Sequence, residues 1–159
     1  MKKLVAVCII GLSLGAAGAF AEHPDGWGLG IVGRGGYGGS GPNLSLKAPS
    51  LPIYWGIGLG IWEGAFSMGV SGDYYIIDTA LVPDINLDWY FGVGGYVSLG
   101  ISDGFGLALG ARVPLGLSWE FLEHFELFGN IFAGLGIGIS PLYFPDWKGG
   151  GELGIRYWL

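Results

Sequence analysis

Charge is scarce in this chain, histidine scarcer, and cysteine nearly absent. Only 13% of its 159 residues are charged, where a water-soluble domain carries about 25%, so its surface cannot be dressed for water in the usual way. A lone cysteine, Cys8, excludes an intramolecular disulfide framework and a cysteine-built metal site. Basic residues are outnumbered seven to thirteen, for a net charge of −6. That excludes nucleic acid as a natural partner, because phosphates need a basic patch. Plentiful instead are apolar residues, 51% of the chain, aromatics at 15%, and 34 glycines. The glycines do not recur every third position, which excludes collagen, and the aromatic content excludes disorder.

Residues 1–21 read as a cleavable signal peptide. Lys2 and Lys3 form a basic start, Leu4 to Leu14 an apolar stretch, and Ala19, Phe20 and Ala21 a small-x-small cleavage site. The apolar run is short for a membrane span. Cys8 follows Val7 within it, the wrong setting for lipidation. Cleavage after Ala21 leaves a domain of residues 22–159 with five basic residues against thirteen acidic, a net charge of about −8.

The mature chain alternates. In "FGLALGARVPLGLSWEF", residues 105–121, every odd position is apolar and every even one is small, polar or proline. A period of two is the strand period. Seven further segments repeat it, beginning at Trp27, Asn43, Ile53, Phe66, Ile85, Phe125 and Glu152. The connectors between them are expected at 35–42, 49–52, 63–64, 78–84, 102–104, 122–124 and 140–150, all rich in turn residues. Residues 53–72 also form an apolar window long enough for a membrane helix, but the window holds six glycines, each costing a helix about 1 kcal/mol. Its GxxxG spacing follows automatically from glycine at alternate positions.

Eight alternating strands with one bulky apolar face and one small, polar face exclude a soluble barrel. Its interior would be overfilled and its exterior undercharged. Lipid outside and small residues inside remove both problems. The expected fold is therefore all-β, an eight-stranded antiparallel up-and-down transmembrane barrel in a bacterial outer membrane, with lipid as its surroundings. Trp27, Trp55, Trp89, Trp119 and Tyr157, on the outward face near strand ends, are expected to form an aromatic girdle. The same parity turns Arg34, Lys47, Asp73, Asp88, Arg112, Glu120, Glu126, Glu152 and Arg156 into the lumen, where opposite charges should pair. Asp73, Asp88 and Glu126 are the acids expected nearest Arg112. Pro114 cannot donate to a ladder and predicts a bulge.

Three segments, "SLKAP", "SGDYYIID" and "LGARVPLGLSW…GIRYWL", together resemble a family of small outer-membrane barrels of unknown function in spirochaetes. The broader plan is similar to the OmpW, OmpX and OmpA-transmembrane group. Tyr157, Trp158 and Leu159 resemble the closing-strand signal read by the barrel-assembly machinery, although that signal normally ends in Phe or Trp and here Trp158 is penultimate. The resemblance implies envelope structure, passage of small or hydrophobic solutes, or adhesion, and no catalytic residues.

Enzymatic and cofactor-binding motifs do not assemble on this pattern, so no cofactor, metal or catalytic activity is expected. Gly28 to Gly33 match GxGxxG, but no helix follows. Ser118, Glu120 and His124 are the one set that could make a hydrolytic triad, with His124 in a turn and Ser118 facing the lumen. A porin-like, charge-plugged barrel is the principal reading. Its rival is a surface adhesin or ligand-binding barrel that uses 35–42 and 140–150 to meet a small solute or a host ligand.

Overall fold

Strands whose two faces differ this sharply need two different surroundings. The computed structural model describes residues 23–24, 26–37, 40–62, 65–101 and 104–159. The signal peptide expected over 1–21, with cleavage at Ala21, lies outside the described residues, as do the connector residues 63–64 and 102–103. Among the described residues the chain forms eight strands: β1 (Gly28–Tyr37), β2 (Gly41–Lys47), β3 (Tyr54–Trp62), β4 (Ala65–Val82), β5 (Leu87–Ile101), β6 (Phe105–Phe121), β7 (Phe125–Ser140) and β8 (Leu142–Trp158). They pair antiparallel in chain order, and β8 returns to β1 to close the barrel. The closing seam runs from Gly28 opposite Trp158 to Tyr37 opposite Gly149, and only beside the short β2 do the last residues of β1, Gly35–Tyr37, and of β3, Leu59–Trp62, run on without a β2 partner. This is the up-and-down barrel that the alternation predicts.

Strand β6 shows how the pattern is spent. Leu109, Val113, Leu115, Leu117 and Trp119 are exposed on the outside, while Ala108, Arg112, Pro114 and Ser118 are buried within. The outer surface of the whole barrel is apolar: Ile31, Leu59, Ile131 and Leu153 are 64%, 55%, 65% and 65% exposed. Removing each such side chain from water is worth about 1.5–3 kcal/mol, and closing the ladder pairs backbone polar groups that hydrocarbon could not satisfy. No described helix is long and apolar enough to cross a membrane. The strands present the lipid-compatible surface instead.

Four expectations are corrected. The connector expected at 78–84 is mostly strand: Asp78, Thr79, Ala80 and Val82 pair with β5, and only the turn at Pro83–Ile85 with left-handed Asn86 remains. Two register shifts, between Tyr75 and Ile77 and between Ala80 and Val82, flip the parity there and hide the strand from a period-two reading. The loop expected at 140–150 is likewise paired, with Leu142 opposite Ile139 and Trp147 opposite Leu135, and so is much of the one expected at 35–42, where Gly35–Tyr37 pair with β8 and Gly41 and Pro42 with β1, residues 38–39 lying outside the described residues. Pro145 falls in the register shift opposite Gly136–Gly138, where the ladder asks for no donor. The bulge expected at Pro114 is absent. Pro114 pairs in register with Phe132 on β7. On the β5 side the ladder skips from Leu115–Phe91 to Arg112–Gly94 and resumes in the same register.

The aromatic residues expected as a girdle mark one rim, not two. Trp27, Trp55 and Trp89 stand at or beside the starts of β1, β3 and β5, and Trp119 and Tyr157 near the ends of β6 and β8. All five therefore lie at the rim that carries both chain ends. Phe121, Phe125 and Tyr157 continue that belt in ring contact at 5.9 and 5.1 Å.

Candidate functional site: the charged lumen

An eight-stranded barrel is just wide enough to be filled by side chains, and long ones from β6, β7 and β8 do most of the filling. Arg112 projects from the middle of β6 and is 2% exposed. Its Nη1 and Nη2 donate in parallel to the two carboxylate oxygens of Glu152 at 3.1 and 3.0 Å. This is the bidentate fork that makes arginine–carboxylate pairs strong and directional. Its Nε lies 3.2 Å from Asp73 Oδ1, Nη1 reaches Ser71 Oγ at 3.4 Å, and the guanidinium rests over the Phe132 ring at 4.4 Å. Asn130 completes the cluster, donating to Glu152 at 3.0 Å and to the Tyr90 hydroxyl at 3.2 Å. Arg34 meets Phe132 at 4.3 Å but approaches Glu152 no closer than 3.8 Å.

A second cluster lies nearer the termini. Arg156 Nη1 donates to Glu126 Oε2 at 2.6 Å, and its Nε and Nη2 donate to Ser45 Oγ. Phe128, Tyr54 and Trp158 surround its guanidinium at 4.4, 4.8 and 5.6 Å. The indole of Trp158 donates to the same Glu126 oxygen at 3.0 Å, so Trp158 faces the lumen while Tyr157 and Leu159 face outward. Between the two clusters Tyr54, Tyr75 and Tyr90 stack face to face at 4.1 Å each. The stack reaches from β3 across β4 to β5. Gly116 faces the Tyr90 ring from β6, and a Cβ there would run into it.

The end that carries the termini is closed by a residue outside every strand. His23, ahead of β1, places Nδ1 2.8 Å from Glu120 Oε1 and Nε2 2.9 Å from Asp78 Oδ2. Its ring stacks on Trp158 at 6.0 Å and meets Tyr54 edge-on at 6.2 Å. Burial alone would lower its pKa, but hydrogen bonds to Asp78 and Glu120 outweigh that and raise it from 6.5 to about 10. With a carboxylate at each nitrogen the imidazolium is the form that fits. At the opposite end Asp146 accepts from the Tyr96 and Tyr143 hydroxyls at 2.9 and 3.2 Å and pairs with Lys148 at 3.1 Å.

Of the charges expected in the lumen, the structure brings Arg34, Asp73, Arg112 and Glu152 together and pairs Glu126 with Arg156. Two partners expected for Arg112 lie elsewhere: Glu126 serves Arg156, and Asp88 is buried toward the His23 end without an ion pair among the described residues. Lys47 bonds to the carbonyls of Ala48 and Leu51 rather than to an acid. Glu120 joins His23. Sequence reasoning missed His23, Asp78, Asp146, Lys148 and the tyrosine stack. His23 had one signal, being one of two histidines in the chain; Asp78, Asp146 and Lys148 lay in segments read as connectors.

No hydrolytic set assembles. His124 is exposed and touches the Tyr157 ring at 5.8 Å, while Glu120 bonds His23 and the Ser118 hydroxyl has no hydrogen-bond partner among the described residues. Gly28 to Gly33 lie in β1, and the next described element is the strand β2 rather than a helix.

No protein-family model matches the chain, and no curated relative matches it in sequence. Solved structures that the chain matches include the following two. Neisserial surface protein A is 14% identical, with a TM-score of 0.54 over 86% of this chain and 98% of that one. A major outer membrane protein from Thermus thermophilus is 17% identical, with a TM-score of 0.45 over 86% of this chain and 100% of the other.

Proposed function

We propose that this chain is an integral protein of a bacterial outer membrane whose lumen is sealed, serving the envelope as a structural barrel rather than as an open pore. The observation that carries this reading is the inversion of polarity: an uninterrupted apolar exterior encloses paired charges and stacked rings. The likeness in fold to Neisserial surface protein A supports it, as does the signal-like start at residues 1–21. On this reading the girdled rim faces the periplasm, lipid surrounds the strands, and Tyr157, Trp158 and Leu159 form the segment recognised by the barrel-assembly machinery. Membership of the small spirochaetal barrels is part of this proposal and rests on the three sequence segments quoted above.

Between its mouths, the lumen is crossed by Arg112–Glu152, by the Tyr54–Tyr75–Tyr90 stack and by Arg156–Glu126, and the void among them is about 30 Å³. That is roughly the space of one water molecule, too little for a solute. Planar bilayers containing the folded protein should show no conductance steps. Stable steps in the unmodified protein would overturn the sealed-barrel reading and favour a minor channel.

A surface-binding role is the second reading, and one observation favours it. Tyr37 and Phe144, from the segments 35–42 and 140–150, stand 75% and 70% exposed at the rim opposite the termini. Binding to host surfaces that is lost in Phe144→Ser, with membrane insertion unchanged, would support it. Loss of insertion instead would assign the ring to the lipid interface.

A further inference from the structure

The lumen is sealed in its middle but not at the rim opposite the termini. There a cavity of about 130 Å³ opens between β1, β2, β3, β4, β5 and β8. It exists because of an imbalance in side-chain size. Beyond the lumen-filling Tyr54, the next inward positions of β3 are Gly56, Gly58 and Gly60, and the space they leave is floored by their neighbours' polar groups. A Cβ on Gly56 would stand 2.8 Å from Ser71 Oγ, one on Gly60 2.5 Å from Ser67 Oγ, and one on Gly58 would strike Asn43 Oδ1. Glycine, serine and asparagine thus make a low polar wall on one side. On the other stand the two cations Arg34 and Lys148.

The charge of this cavity is the reverse of the protein's. The chain carries a net charge of −6, yet no carboxylate lines the cavity among the described residues, while Arg34 and Lys148 do. The nearby acids are already engaged: Glu152 by the Arg112 fork and Asn130, and Asp146 by Lys148, Tyr96 and Tyr143. Arg34 is not. Its Nε is buried with no hydrogen-bond partner among the described residues, and its nearest carboxylate oxygen is 3.8 Å away. The Arg34 side chain is nonetheless 20% exposed and lines the cavity, so part of its guanidinium is open to an acceptor there. The Ser67 and Ser98 side chains face the same space as further donors.

We propose that this cavity binds a small oxyanion, of the phosphate or carboxylate class, held between Arg34 and Lys148 and floored by the β3 glycines. A volume of about 130 Å³ corresponds to roughly four water molecules, enough for one such group but not for a drug-sized molecule. The site is a dead end, because the Arg112–Glu152 pair stands beneath it. It deepens the sealed-barrel reading, since a closed barrel with an anion seat at one mouth captures without conducting.

The test uses the full mature chain folded in phosphatidylcholine nanodiscs, with the Arg34 Nε–H resonance followed by NMR as inorganic phosphate or succinate is added. Saturable shifts are expected. Arg34→Gln and Lys148→Gln should each weaken binding by about tenfold, the loss expected for one charge-assisted contact, and Gly58→Leu should abolish it by filling the seat. A second arm omits free anion and places phosphatidic acid in the nanodisc. A shift in the first arm alone identifies a soluble ion, and a shift in both identifies a lipid headgroup phosphate as well. No saturable shift in either arm overturns the proposal, as does an equal response to methyl glucoside. Lys148→Gln, at the rim, keeps the test decisive should Arg34→Gln not fold. Conductance is a separate readout, so failure of the sealed-barrel reading would not be mistaken for failure of this one.

Discussion

Replacing His23 with glutamine removes the one positive charge that the chain's N-terminal segment lays across the Asp78 and Glu120 carboxylates. The magnitude follows from linkage. The imidazole titrates near 6.5 when unfolded and at about 10 when folded, a preference for the charged form on the order of 4–5 kcal/mol. The side chain is only 13% exposed, so solvent screens little of it. Because the folded value is the higher one, the stabilisation is fully present below pH 6.5, falls by about 1.4 kcal/mol per pH unit above it, and is gone once the pH passes about 10. Other groups titrate in the same range, so the quantity to measure is the difference in unfolding free energy between the wild type and His23→Gln. Urea titrations in detergent micelles, followed by tryptophan fluorescence from about pH 6 to about pH 10.5, would give that difference across the window. It should be largest at the acid end and vanish at the alkaline end. A difference that stays constant across the window, or that grows with pH, would refute the clamp. A constant difference would mean that His23 stabilises by packing on Trp158 and not by charge, and a growing one that the fold favours the neutral imidazole.

Arg112→Ala should destabilise the barrel by about 3–5 kcal/mol, because it strands both Asp73 and Glu152 in the lumen. The outward-facing control Ala111→Gly should cost far less in the same urea assay, and equal losses would show that the ion cluster contributes nothing specific. The mature protein is expected to begin at Glu22, with a mass that lacks residues 1–21; an intact leader on membrane-fractionated protein would contradict this. Folded protein in detergent should give a β-type circular dichroism spectrum and migrate differently on gels before and after heating, and a helical spectrum would rule out the barrel in solution.

The barrel was legible in the sequence because its determinant is local. Period-two alternation assigns each residue a face without any knowledge of its partners, and in β6 that assignment holds for every residue from Ala108 to Trp119. It fails where the ladder stops being regular. At the β4 register shifts one extra residue per shift reverses the parity, so Asp78 has the look of a connector residue although it faces the lumen. Asp146 and Lys148 are hidden behind two prolines that resemble loop breakers. Pairings across the lumen were not legible at all. Whether Arg112 meets Glu126 on adjacent β7 or Glu152 on β8 depends on strand stagger accumulated around the whole closed barrel, and no residue type at position 112 encodes that sum. His23 was invisible for a related reason: its partners lie 55 and 97 residues away.

The lumen charges serve register more than they serve stability. A packed apolar interior could fill the same space, and buried ion pairs are often no better than apolar replacements of similar volume. In the membrane setting proposed above, what an apolar lumen could not do is tell inside from outside, because the exterior is already apolar and lipid would accept either face. A one-residue slip of any strand exchanges its two faces. In β6 such a slip would carry Arg112 into hydrocarbon at a cost of about 2–4 kcal/mol, and in β8 it would carry Glu152 and Arg156 outward together. The same slips would leave Asp73 and Glu126 unpaired inside. Each misregistered barrel therefore loses on both faces at once, while in the native one Arg112, Glu126, Glu152 and Arg156 are all paired inside. On this argument the few charges that the sequence retains sit where a strand could otherwise slide undetected, with Arg112 on β6, Glu126 on β7 and Glu152 and Arg156 on β8 fixing three consecutive strands against one another.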